Sequence, residues 1–177
     1  AGKTKFILGL IDELKKSGIK VGVIEGDIAG KIDAEKMAER GIPVVQLNTD
    51  GACHIEAMSI KNILPQFDLD HLDIIIIENI GNLVCPAEFD IGESLKVALL
   101  SIPEGDDKVE KYPLMFTRAD ALVLTKYDLI NYFEFNEERV DKNALIRNDE
   151  LKLFKVNSKN EDDIKEFKNW LISKIEE

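Results

Sequence analysis

Gly2-Lys3-Thr4 stands directly before a stretch with helical periodicity. At a helix start the backbone N–H groups attract an anion, a lysine reaches terminal phosphates, and a hydroxyl can take Mg²⁺. The three residues match the end of the G-x-x-x-x-G-K-[ST] phosphate loop, although a plain helix start explains so short a match about as well. Asp27 and Glu78 each follow a branched apolar run, 21–24 and 74–77. They fall at the carboxyl ends of expected strands, where a carboxylate holds Mg²⁺ directly or through water. Singly each reads as a solvated strand-end acid; together with Lys3-Thr4 they favour a nucleotide and metal site. Thr125-Lys126-Tyr127-Asp128 approximates N-K-x-D, with threonine in place of asparagine. A carboxylate there accepts from the N1–H and N2–H₂ donors of guanine, a pair adenine lacks, while the lysine stem covers the base. Ser158-Lys159 follows the last expected strand, where it reads either as a further base contact or as a polar helix entry capped by Asn160. Cys53-His54 and Cys85 carry the thiolate and imidazole donors that suit Zn²⁺ or Ni²⁺. Three donors leave a tetrahedral site incomplete unless a second chain supplies the rest, and the plainer reading is two buried thiols and a satisfied histidine.

These residues need a frame to hold them. The chain has 177 residues, 45% hydrophobic and 32% charged, enough to build a core without cross-links. Helical spacing marks 5–17, 33–40, 53–64 and 161–177; apolar runs mark strands at 20–25, 43–47, 73–78, 95–102, 121–125 and 151–156. The four isoleucines of 74–77 suggest a central strand covered on both faces. Alternation of strands and helices implies an α/β fold in three layers, a mainly parallel central sheet flanked by helices. Residues 103–112 read as a long polar connection, and no linker or repeat divides the chain. With 34 acids against 23 bases the net charge is −11, which argues against nucleic-acid binding. No apolar run approaches the ~18 residues of a membrane span and no signal peptide is visible, so the cytoplasm is expected. Two cysteines are too few for a disulfide framework and point to reduced thiols or metal ligands.

The combination Gly26-Asp27, Asn48-Thr49, Cys53-His54, Glu78-Asn79-Ile80-Gly81-Asn82-Leu83-Val84-Cys85-Pro86-Ala87, Phe89-Asp90, Glu104-Gly105 and Lys111-Tyr112-Pro113-Leu114-Met115-Phe116 resembles the HypB-type GTPases. The likeness spans most of the chain to about residue 129 and implies a P-loop NTPase fold. It implies one GTPase domain over 1–177, lacking its first strand and the start of the phosphate loop. It further implies an Mg²⁺-dependent GTPase that delivers nickel to [NiFe]-hydrogenase, with turnover expected to be slow because no arginine finger can be identified in the sequence. Implied contacts are Gly2, Lys3 and Thr4 to phosphate; Thr4, Asp27 and Glu78 to Mg²⁺; Lys126 and Asp128 to guanine; and Cys53, His54 and Cys85 to nickel or zinc at a dimer interface. Lys3, Thr4, Asp27 and Glu78 are then the catalytic set. Implied partners are a second copy, the hydrogenase large-subunit precursor and other nickel-insertion accessory proteins. Because Cys85 follows Gly81 by four residues, γ-phosphate sensing near Glu78 would move a metal ligand directly. Competing expectations are a related GTPase serving urease or another metalloenzyme, a non-catalytic zinc-stabilised dimer, and, more distantly, a P-loop kinase.

Overall fold

A computed structural model describes residues 2–26, 31–49 and 51–177. Asp27, expected at the Mg²⁺ site, lies outside them. Helix α1, Lys3–Lys16, starts at the phosphate motif and buries Phe6, Ile7, Leu10, Ile11 and Leu14 along one side. That is the 3–4 spacing that marks it in the sequence. The chain divides into two units, residues 11–93 and residues 1–10 with 94–177.

In residues 11–93 the strands are β1 (Val21–Glu25), β2 (Val44–Gln46) and β3 (Ile74–Glu78), with α2 (Lys31–Glu39), α3 (Ala57–Ile63) and α4 (Cys85–Glu88) between and after them. The ladder is parallel in the order β2-β1-β3. β1, buried at every residue, therefore holds the centre. The isoleucine run expected there flanks it as β3 and is only half-buried until Glu78. Ile24, Ile55, Ile60, Ile63 and Phe67 form the core over this ladder.

In the other unit β4 (Val97–Ser101), α5 (Lys108–Lys111), α6 (Pro113–Arg118), β5 (Ala121–Thr125), α7 (Glu137–Arg147), β6 (Lys152–Lys155) and α8 (Glu161–Ile175) build a parallel ladder β4-β5-β6. β5 is buried throughout, and α8 turns Ile164, Phe167 and Leu171 inward. Phe167 meets Phe6 and Phe154 edge-on, each at 5.1 Å. Parallel α/β architecture is thus as the sequence implied. The 103–112 connection holds α5 rather than running irregularly throughout.

Candidate functional site

Parallel strands bring their carboxyl ends to one edge, where α/β proteins place ligands. In residues 11–93 the ladder pairs Glu25 with Glu78 at that edge. Both are buried, at 0% and 3% exposure. Carboxylates at the carboxyl end of parallel strands are hard oxygen donors of the kind that suit Mg²⁺. Glu25 escapes a reading of the sequence because it looks like the last residue of an apolar strand. Gly26 follows, its N–H donating to Glu78 O at 2.9 Å. A Cβ on Gly26 would run into Ile55 Cδ1 and lie 3.0 Å from Glu78 O.

Ile55, 1% exposed, is the plug that fixes the preceding residues. Cys53 and His54 lie in the turn ahead of α3, outside the helix expected from 53 onward. Glu56 is its N-cap in extended conformation (φ −93°, ψ 146°), and the helix begins only at Ala57. Cys85 opens α4, with Pro86 in the first turn where its missing N–H does no harm. The structure joins Cys53 and Cys85 as a disulfide with Cα atoms 6.1 Å apart, where the sequence pointed to reduced thiols or metal ligands. The same closeness serves both states. Once reduced, the pair offers two sulfur donors beside the His54 imidazole, and the three ligand atoms lie within 4.8 Å of one another. Donors on a tetrahedral ion with bonds of about 2.0–2.3 Å stand roughly 3.3–3.8 Å apart. Cys53 Sγ and His54 Nδ1 are already at 3.5 Å. The imidazole lies flat on Phe89, centroids 3.9 Å apart and planes within 5°, which restricts its rotation. Phe89 was part of a family likeness in the sequence, but this stacking is not legible there.

The other unit assembles the nucleotide motifs. Gly2 has φ +71°, a left-handed conformation that glycine adopts without penalty, and a Cβ there would sit 3.6 Å from Thr125 Oγ1 and 3.7 Å from Lys126 Cε. Gly2 thus abuts the Thr125-Lys126-Tyr127-Asp128 motif. Lys3 and Thr4 follow, half-buried at the start of α1. Thr125 closes β5 and is buried, while Lys126 and Asp128 are exposed on the turn beyond it. Lys126 has φ +55°, the one positive φ among described non-glycine residues. Tyr127 anchors the turn twice: its N–H donates to Val156 O at 3.2 Å, and its hydroxyl donates to Glu137 Oε2 at 3.0 Å. Lys155 completes the cluster through ion pairs with Glu137 (2.5 Å) and Asp141 (2.7 Å). Burial and then the Glu137 hydrogen bond push the Tyr127 phenol above its ordinary pKa. Lys155, by its hydrogen bond, holds Glu137 below the usual carboxylate value against the opposing effect of burial. For Lys155 burial works against the charge, but hydrogen bonds to Asp141 and Glu137 outweigh it and the pKa is raised. Val156 is also paired to Leu124 through its N–H (2.8 Å), so the turn carrying Ser158 and Lys159 emerges beside the one carrying Lys126 and Asp128. Asn160 caps α8 by accepting from Asp162 N–H at 3.0 Å, which accounts for the polar entry structurally and leaves the Ser158 and Lys159 side chains on the adjacent turn.

Comparison with known proteins bears on both sites. Residues 1–155 match the family model described as CobW/HypB/UreG, nucleotide-binding domain. The chain is 38% identical over 181 residues to the hydrogenase/urease maturation factor HypB of Helicobacter pylori strain J99, covering all of this chain and 74% of that protein. It is 40% identical over 171 residues to the hydrogenase maturation factor HypB of Escherichia coli K12, covering 97% of this chain and 59% of that one. Among solved structures, HypB from H. pylori in complex with nickel superposes with a TM-score of 0.91 at 37% identity, over 99% of this chain and 82% of that chain. HypB from Archaeoglobus fulgidus does so at 0.90 and 32%, over 98% of this chain and 84% of that chain.

Proposed function

The chain belongs to the CobW/HypB/UreG nucleotide-binding family and is of the HypB type, and on that footing we propose that it is a GTP-hydrolysing nickel carrier in the maturation of [NiFe]-hydrogenase. One observation carries the reading: Cys53-His54 and Cys85, 32 residues beyond Cys53, bring two soft sulfur donors and an imidazole within reach of one ion, on segments that follow β2 and β3. Nickel is then cargo, held by thiolates and imidazole, and a second copy of the chain completes its coordination as a homodimer.

The nucleotide chemistry is read from the motif residues. Backbone N–H groups at Gly2, Lys3 and Thr4 face phosphate at the helix start, and the Lys3 ammonium neutralises the terminal phosphates. Asp128 accepts from the guanine edge and Lys126 covers the ring, with Ser158 and Lys159 on the neighbouring turn as further base contacts. Thr4, Asp27 and Glu78 supply the hard oxygen donors for Mg²⁺, which when bound offsets charge developing on the phosphate oxygens. Positioning and electrostatics do most of the work in phosphoryl transfer, so a site with no assignable arginine finger turns over slowly. GTP hydrolysis relaxes the segment after Glu78, and since Cys85 rides on it, the grip on nickel changes with the nucleotide. The recipient is the hydrogenase large-subunit precursor, reached alongside other nickel-insertion accessory proteins.

A fluorescent GDP analogue titrated against the protein, together with phosphate release from GTP and Mg²⁺, tests the reading. Saturable binding and slow turnover support it. Absence of both, with zinc-dependent dimerisation retained, favours a structural zinc dimer instead.

A further inference from the structure

The Asn82 side chain makes three hydrogen bonds to backbone around the thiols. Its Nδ2 donates to Cys53 O at 2.6 Å across 29 residues of sequence, while Oδ1 accepts from Cys85 N–H at 2.9 Å and Val84 N–H at 3.1 Å. Its own N–H donates to Ile80 O at 2.8 Å, which binds the residue to the strand-end segment that begins at Glu78. One planar carboxamide therefore ties the backbones of both cysteines together. Only an amide offers a donor and an acceptor at that reach; a carboxylate keeps the acceptor and loses the donor, and an aliphatic group loses both.

We propose that Asn82 is the positioning residue of the metal site, setting the separation of the Cys53 and Cys85 segments so that their sulfurs meet the same ion. This rests on the reading of Cys53, His54 and Cys85 as metal ligands and adds how that arrangement is set. The Asn82 side chain bonds the backbone of residues 53, 84 and 85 rather than the ligand atoms. It acts through the backbone of both ligand-bearing segments, as outer partners of metal ligands do, where losses of about 10–100-fold in affinity are usual. Because Asn82 also belongs to the segment after Glu78, a shift of that segment carries Cys53 as well as Cys85. The two thiols then move as a pair rather than one leaving the other.

The test compares wild type, Asn82→Leu and Asn82→Asp, all reduced, by competition of nickel against a chromogenic chelator and by the thiolate-to-nickel charge-transfer band. Binding of a fluorescent GDP analogue and the far-ultraviolet circular dichroism report folding. Asn82→Leu is expected to weaken nickel binding by about 10–100-fold and to shift the band, with GDP affinity within about twofold of wild type. Asn82→Asp adds a negative charge that by itself favours a cation; weaker nickel binding in this variant therefore isolates the lost donor to Cys53. Wild-type affinity and an unchanged band in both variants overturn the inference. A wild-type chain that binds no nickel through its thiols overturns the ligand reading instead, and is recognised before any variant is compared.

Discussion

Replacing Tyr127 with phenylalanine removes one oxygen and keeps the ring, which makes it a narrow probe of how the turn carrying Lys126 and Asp128, the proposed base contacts, is held. The hydroxyl donates to the ionised Glu137 carboxylate at 3.0 Å. A hydrogen bond to a charged group contributes about 1.5–3 kcal/mol. Here the lower end applies or less, because Glu137 keeps Lys155 and the half-buried site lets water replace the phenol. A loss of about 1 kcal/mol in unfolding free energy is expected. The turn next to it holds Lys126 in the left-handed region, a conformation that disfavours a non-glycine residue by about 1–2 kcal/mol. With the anchor gone, the released free energy is comparable to that strain, and Lys126 relaxes toward ordinary backbone angles. A loss of 1 kcal/mol corresponds to roughly a fivefold drop in affinity for guanine nucleotides. Titration of a fluorescent GDP analogue, with a denaturant melt on the same samples, reads both quantities. Unchanged GDP affinity alongside reduced stability would show that the turn holds its shape without the phenol. A loss beyond a hundredfold would show that the hydroxyl contacts nucleotide, and either result refutes the reasoning.

Asp128→Asn exchanges an acceptor for a donor on the guanine edge. GDP affinity is expected to fall about a hundredfold, from two charge-assisted hydrogen bonds at about 1.5–3 kcal/mol each less what water restores, while xanthosine diphosphate, which presents a carbonyl in place of the amino group, gains; equal losses for both nucleotides would contradict it. Gly26→Ala forces a Cβ into Ile55 and is expected to destabilise by about 1–3 kcal/mol, read in a urea melt. Glu137 is held below its ordinary 4.5, so its contribution is present above that value and lost as pH falls through the lowered one; Glu137→Gln should flatten this acid limb in pH-dependent melts. Nickel or zinc should protect Cys53 and Cys85 from cross-linking by oxidised glutathione, and the cross-linked chain should bind neither metal; metal binding that survives oxidation would place the ion elsewhere.

Much of the frame was readable because burial and periodicity coincide in it. β1, β5 and α8 carry apolar residues wherever the core needs them, and each lies close to its expected limits. α7 left no such trace: only Val140 and Ala144 are buried in eleven residues, too narrow a stripe to separate from a polar loop. The helix expected from residue 53 failed for the opposite reason, since apolar residues such as Ile55 and Met58 fit helical spacing while the extended backbone of Glu56 keeps Cys53 and His54 out of it. Glu78 and Thr125 close β3 and β5 as expected, because a polar residue after an apolar run marks a strand end. Partners that act through geometry were invisible: Glu25 becomes significant only when the register sets it against Glu78, and Asn82 only when residue 53 is folded back onto it.

The central claim is that nucleotide and nickel share the segment running from Glu78 to Cys85. Nickel affinity of the reduced, Mg²⁺-supplied chain, measured once with GDP and once with a non-hydrolysable GTP analogue, tests it most directly. Affinities that differ by about fivefold or more between the two states are expected, the ordinary range of coupling between linked sites. Identical affinities in the two nucleotide states, with both nucleotides bound, would contradict it.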